Sequence, residues 1–231
     1  MHNFITKYLP ILIIILISGC SFSKSNMVIT EKKYETDMSV IELQIPEFKN
    51  FSDKDFEEKL NTDYTAAFNS WIKDFEEKCE KSTLEGEKCV LKITQDVKMA
   101  SSSIFSLISE IYSFTDGMHA SSFRVAKNID VQRNREFQLS DLFSDGSYQN
   151  AINREISEIL EENPEEYHDL WEKPILSSMH QEFFYLSQDG LVIFYPPYEL
   201  SYYARGFVEF VIPYDELSGY FAPEYKFLAN I

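Results

Sequence analysis

Apolar positions along the chain change period several times, and each change marks a predicted element. Leu9 to Ile17 is almost wholly aliphatic, broken only by Pro10. Such a run is too short to span a bilayer comfortably. From Ser21 to about Lys33 the chain is polar and without period, the pattern of a tether. Ser39 to Ile45 alternates, with Val40 out of step, and meets Pro46, which predicts a strand. Ser52 then reads as an N-cap ahead of Asp53 and Asp55. Phe56, Leu60, Tyr64, Ala67, Phe68, Trp71, Ile72 and Phe75 recur at helical steps, so an amphipathic helix is expected to end near Lys78.

Beyond it the pattern turns strand-like. Val90 to Met99, Ile104 to Phe114 and Ser121 to Ile129 read as strands, with Asp116-Gly117 as the turn between the last two. Phe137 to Phe143 is a connector. Asp145-Gly146 precedes a helix from about Ser147 to Glu162, with Ile152, Ile156, Ile159 and Leu160 on one face and Pro164 past its end. A short helix over Tyr167 to Leu176 is expected next. Phe183 to Leu186 and Leu191 to Tyr195 form a hairpin across Gln188-Asp189-Gly190, Phe207 to Ile212 is a strand closed by Pro213, and Asp215 to Tyr220 is a last helical turn. This order predicts an α+β fold, with helices packed on one face of a mainly antiparallel sheet. A smaller N-terminal subdomain is expected over 34–115 and a C-terminal one over 116–231.

The apolar start has a further reading. Lys7 precedes it, and Leu16-Ile17-Ser18-Gly19-Cys20 closes it. The short core and the small-small-Cys ending resemble a bacterial lipobox. That implies a signal peptide over 1–19, cleavage ahead of Cys20, and a lipidated cysteine and tether over 20–33. Anchoring then rests on acyl chains carried by Cys20, on the outward face of a membrane. Ser21 rather than Asp follows, which in a cell with two membranes favours the outer one.

Composition narrows the partners. The chain has 38 acids against 21 Lys and Arg, a formal charge of −17. Phosphate backbones would be repelled, so nucleic acid is excluded as a partner. A basic protein or cations would be attracted. Solubility alone accounts for the same charge equally well. Aromatics at 15% are too many for a disordered chain. Cys79 and Cys89 are the only cysteines besides Cys20 and read as a disulfide in an oxidising compartment.

The C-terminal motifs resemble a known family. Asp116-Gly117-Met118-His119-Ala120, the stretch Phe137 to Phe143, and above all Phe184 to Leu200 (FYLSQDGLVIFYPPYEL) carry the likeness. Ala204-Arg205-Gly206 and Val211 to Leu217 continue it in order. They are similar to a bacterial extracytoplasmic domain-of-unknown-function family. This is the ectodomain type of the lysozyme-sensing sigma-V anti-sigma factor, also found next to peptidoglycan deacetylase domains. Ala120 and Asp116 depart from the family's glycines. The resemblance implies an outward-facing binding domain and leaves its ligand open.

Catalytic signatures are absent from the sequence. His119, His168 and His180 show no metal-ligand spacing, and no nucleophile elbow occurs. No metal and no cofactor are expected. His119 beside Asp116 is either an acid/base or ligand contact, or a loop lock. Tyr195, Tyr198, Glu199 and Tyr203 lie on a proline-stiffened segment that either presents a ligand surface or packs over the sheet edge. Arg205 can pair with a nearby acid or a ligand carboxylate. The reading is a non-catalytic envelope module binding a protein, a cationic lysozyme for example, or a cell-wall glycan. An enzyme acting on peptidoglycan fragments and a structural envelope lipoprotein are the alternatives.

Overall fold

A computed structural model describes residues 26–82, 86–116, 119–176 and 181–231. It is α+β, with a six-stranded sheet and a three-stranded sheet, each with its strands in chain order. The chain divides into two compact units. One comprises residues up to Asp96 with Ser109–Phe123, and the other Val97–Ile108 with Arg124–Ile231. Cys20 lies outside the described residues.

In the first unit, β1 (Met27–Glu35) pairs antiparallel with β2 (Ser39–Phe48). The expected tether therefore stops short of Lys33, because the strand begins at Met27. Only Met27 of β1 is buried. An edge strand exposed this far has no apolar alternation to betray it, and charges along it suit an edge. β2 also runs past Pro46 to Phe48. Its parallel pairing with β3 (Cys89–Ala100) covers only Ser39–Leu43 against Cys89–Ile93, so the amide that Pro46 lacks is not needed there. Where that ladder ends, the Gln95 amide donates to Gln44 Oε1 at 2.9 Å.

α1 (Lys54–Cys79) is capped by Asp53 rather than Ser52. Asp53 Oδ1 accepts from the amides of Asp55 and Phe56, both at 3.0 Å. Leu60, Tyr64, Phe68 and Phe75 form its buried stripe. Asn61 clamps the end of β2, accepting from the Phe48 amide at 2.8 Å and donating to the Phe48 carbonyl at 2.9 Å. A disulfide joins Cys79, the last residue of α1, to Cys89, the first of β3, with Cα atoms 6.0 Å apart.

β4 (Ile104–Phe114) and β5 (Ser121–Asp130) follow as expected, and the two-residue β6 (Arg135–Glu136) pairs with the end of β5. In the second unit, α2 (Tyr148–Glu162) packs against β9 (Val208–Ile212) through Ile152 and Ile156. β7 (Phe184–Leu186), β8 (Leu191–Tyr195) and β9 form an antiparallel meander. All five residues of β8 are buried, with Leu191, Ile193 and Tyr195 facing α2's cluster and Val192 and Phe194 facing a second cluster with Ile108. A Cβ on Gly190 would run into the Ile212 carbonyl, so the β7–β8 turn requires glycine. No helix forms over 167–176, where the chain is turn, bend and irregular. Buried Pro174 interrupts the segment, and the residue before a proline avoids helical angles. A 3-10 helix over Pro223–Asn230 was not evident in the sequence, yet it buries Tyr225 and Leu228.

Candidate functional site

The site is built on the loop that leaves β8. Pro196 and Pro197 fix the chain direction. Tyr198 then adopts a φ of 72°, a left-handed conformation that a tyrosine holds only when its surroundings enforce it. The Glu199 amide donates to the Pro196 carbonyl at 3.2 Å, the Trp171 amide donates to the Leu200 carbonyl at 2.9 Å, and Tyr203–Arg205 closes as a 3-10 turn.

Arg205 is the pin. Its Nη1 donates to Asp169 Oδ1 at 2.7 Å and to the Glu166 carbonyl at 2.7 Å. Its guanidinium carbon lies 5.7 Å from the centre of the Tyr167 ring. Ser201 Oγ donates to the Asp169 side chain at 3.2 Å and to its carbonyl at 3.1 Å. Partial burial pushes the Asp169 carboxyl upward. The Tyr202 and Ser201 hydroxyls and the Arg205 charge outweigh that and hold it below its ordinary value. The ion pair therefore fastens residues 198–205 to the acidic turn at 163–169.

What this loop offers to solvent is aromatic. Trp171 is 60% exposed, Tyr198 57% and Tyr202 49%, and the Tyr198 and Tyr203 rings lie 5.5 Å apart. Rings held on a pinned loop lose little entropy on binding, which suits them to protein or sugar surfaces.

The structure sorts the expected residues. Tyr198, Glu199, Tyr203 and Arg205 share this loop. Tyr195 does not reach the surface. It is 1% exposed, its ring meets Phe210 edge-on at 6.0 Å, and burial raises its hydroxyl pKa. The alternation of β8 turns it inward, so it is a core residue. Arg205 is taken by Asp169, which settles its partner as an acid of this chain. Asp116 and His119 are exposed and belong to the other compact unit, while Gly117, Met118 and His180 lie outside the described residues. Asp169, Trp171 and Tyr202 are part of the site and were not singled out from the sequence. Trp171 falls in the stretch expected to be helical.

No group of three His, Cys, Asp or Glu side chains fit to hold a metal ion occurs among the described residues. Among them, too, no helix is long and apolar enough to cross a membrane.

Comparison with known proteins finds two matched regions. Residues 32–122 match a family described as "Deacetylase PdaC", and residues 140–215 match "Protein of unknown function (DUF3298)". The anti-sigma-V factor RsiV of Bacillus subtilis is 26% identical over 195 residues, covering 79% of this chain and 66% of that protein. The chain thus spans just under two thirds of that relative. A crystal structure of a DUF3298 family member from Bacteroides fragilis superposes with a TM-score of 0.62 at 18% identity, over 86% of this chain and 94% of that one. A DUF3298 protein from Pseudomonas aeruginosa also gives 0.62, at 15% identity, over 88% of this chain and 97% of that one. At such identity the two structures show the shared fold. With the relative, the two matched regions make the chain similar to extracytoplasmic domains in which a PdaC region precedes a DUF3298 region.

Proposed function

We propose that this chain is a non-catalytic envelope module that captures a basic protein on the aromatic loop 198–205, with a cationic lysozyme as the sharpest case. The observation that carries the reading is the pinned, exposed set Trp171, Tyr198 and Tyr202. It lies beside an acidic turn in a chain of charge −17. Aromatic side chains supply contact area, and the surrounding acids steer a basic partner toward it. The resemblance to a lysozyme-sensing ectodomain points the same way. Lipid on Cys20 would hold the module at the outer face of a membrane, the outer membrane where there are two.

The test is capture of a basic lysozyme by the purified chain at low and moderate salt. Binding should weaken as salt rises. Tyr198→Ala should weaken it roughly tenfold or more, as for a buried aromatic anchor. Absence of binding at both salts sinks the lysozyme reading. Retention of a cell-wall glycan in its place, lost on the same substitution, would reassign the loop to sugar.

A further inference from the structure

The second opportunity lies on a different element, the open edge of β9. β9 has β8 on one side only. The register decides which of its backbone groups face outward. The Phe194 amide donates to the Phe183 carbonyl at 2.9 Å, so Phe194 turns its backbone groups toward β7. Ile193 and Tyr195 turn theirs toward β9, onto Phe210 and Val208. Glu209 and Val211 are therefore left with amides and carbonyls pointing away from the sheet. The Tyr167 hydroxyl agrees, since it reaches the Glu209 carbonyl from outside at 3.4 Å, a long bond that a better donor could replace. Among the described residues, no acceptor meets the outward amides of Glu209 and Val211.

A groove of about 730 Å³ runs along this edge. Ile159, Phe207 and Val208 give it an apolar lining, and Glu166 and Glu209 stand among its polar walls. That volume lies within the usual range of ligand sites. The edge is lightly guarded, by the Tyr167 hydroxyl and the Glu209–Arg124 pair. β9 reads VEFVI, without lysine, arginine or proline, and Val211 is 44% exposed. β1, the outer strand of the other sheet, is guarded differently, with Lys33 paired to Glu42 and Glu35 to Lys88.

The groove's surroundings select the charge of an occupant. Residues 158–169 hold six acids and no lysine or arginine. Arg205 neutralises Asp169, Arg154 approaches Glu158 at 3.8 Å, and Arg124 neutralises Glu209 at 2.6 Å. Glu161 and Glu162 at the end of α2 and Glu165 and Glu166 on the turn are exposed.

We propose that β9 and this groove take up an extended, basic polypeptide segment as a fourth strand. The backbone groups of Glu209 and Val211 bond alternate residues of the segment, its apolar side chains enter the groove, and its basic ones meet the acidic turn. The groove shares Arg205 and the acidic turn with the aromatic loop, while the strand pairing rests on the backbone of β9.

The probe is a fluorescein-labelled peptide of alternating lysine and valine, six residues long, titrated against the full-length chain in detergent. Only alternate amides of an added strand bond to the edge. N-methylation of one alternate set should therefore weaken binding roughly tenfold or more, and methylation of the other set should be tolerated. Hydrogen exchange at Glu209 and Val211 should slow on binding. Val211→Pro should weaken binding by about the same factor, because it removes an outward amide that the β8 ladder does not use. A glutamate-for-lysine peptide should not bind. No binding of the lysine peptide, or equal effects of the two methylation patterns, overturns the proposal. So does binding unchanged by a folded Val211→Pro chain. Should that variant fail to fold, the methylation patterns decide on the unaltered protein.

Discussion

β8 and the loop it runs into have similar residues and opposite fates. Leu191–Tyr195 is a five-residue strand with every side chain buried. Residues 196–205 continue it with prolines and tyrosines, and Tyr198 is more than half exposed. The two tyrosines that bracket Pro196-Pro197 differ in what surrounds the backbone. Tyr195 belongs to a ladder with β9 that fixes its direction by alternation, and the α2 cluster receives it. Tyr198 has left the ladder, and the prolines, the left-handed turn and the Arg205–Asp169 pair set its direction instead. Aromatic residue type therefore says little about burial here, and the direction imposed by strand alternation or by the loop's contacts decides it.

That contrast can be broken by substitution. Tyr195→Ala should give the largest effect, a loss of about 3–5 kcal/mol in denaturant unfolding, as for other buried aromatic truncations. A loss below about 1 kcal/mol would mean that Tyr195 does not share the core.

The fastening of the loop should be weaker and dependent on pH. The Asp169 carboxyl lies below its ordinary value, so the stability it contributes is present above the unfolded value, about pH 4, and is lost as pH falls through the folded one. Arg205→Ala removes one of the groups holding it down. The acid-unfolding midpoint should then move upward, and the thermal midpoint at neutral pH should fall by a few degrees. An acid midpoint that does not move would separate Arg205 from Asp169.

The smallest effect on stability belongs to Tyr198→Ala. The unfolding free energy should stay within about 0.5 kcal/mol of the parent, as for an exposed side chain, while ligand capture suffers. A large destabilisation would place Tyr198 with Tyr195, as a structural tyrosine.

Much of the fold was legible because periodicity and capping are local. The stripe Leu60, Tyr64, Phe68 and Phe75 announces α1, and Gln188-Asp189-Gly190 between two apolar runs announces the β7–β8 hairpin. β1 was not legible because an exposed edge strand needs no apolar face. The apolar residues of 167–176 suit a helix, while the conformation there is set by contacts such as the Trp171 amide on Leu200, which are distant in sequence.

The sequence alone determined α1, α2 and most of the strands, the acidic charge, the α+β class, and the Cys79–Cys89 pairing, because each depends on residues near one another in the chain or on composition. Only the tertiary structure decided that Tyr195 is core, that Arg205 is committed to Asp169, that Trp171 and Tyr202 are presented, and that Glu209 and Val211 face an open groove. Those outcomes depend on strand register and on which distant segments meet, and neither is written in the local pattern of residues.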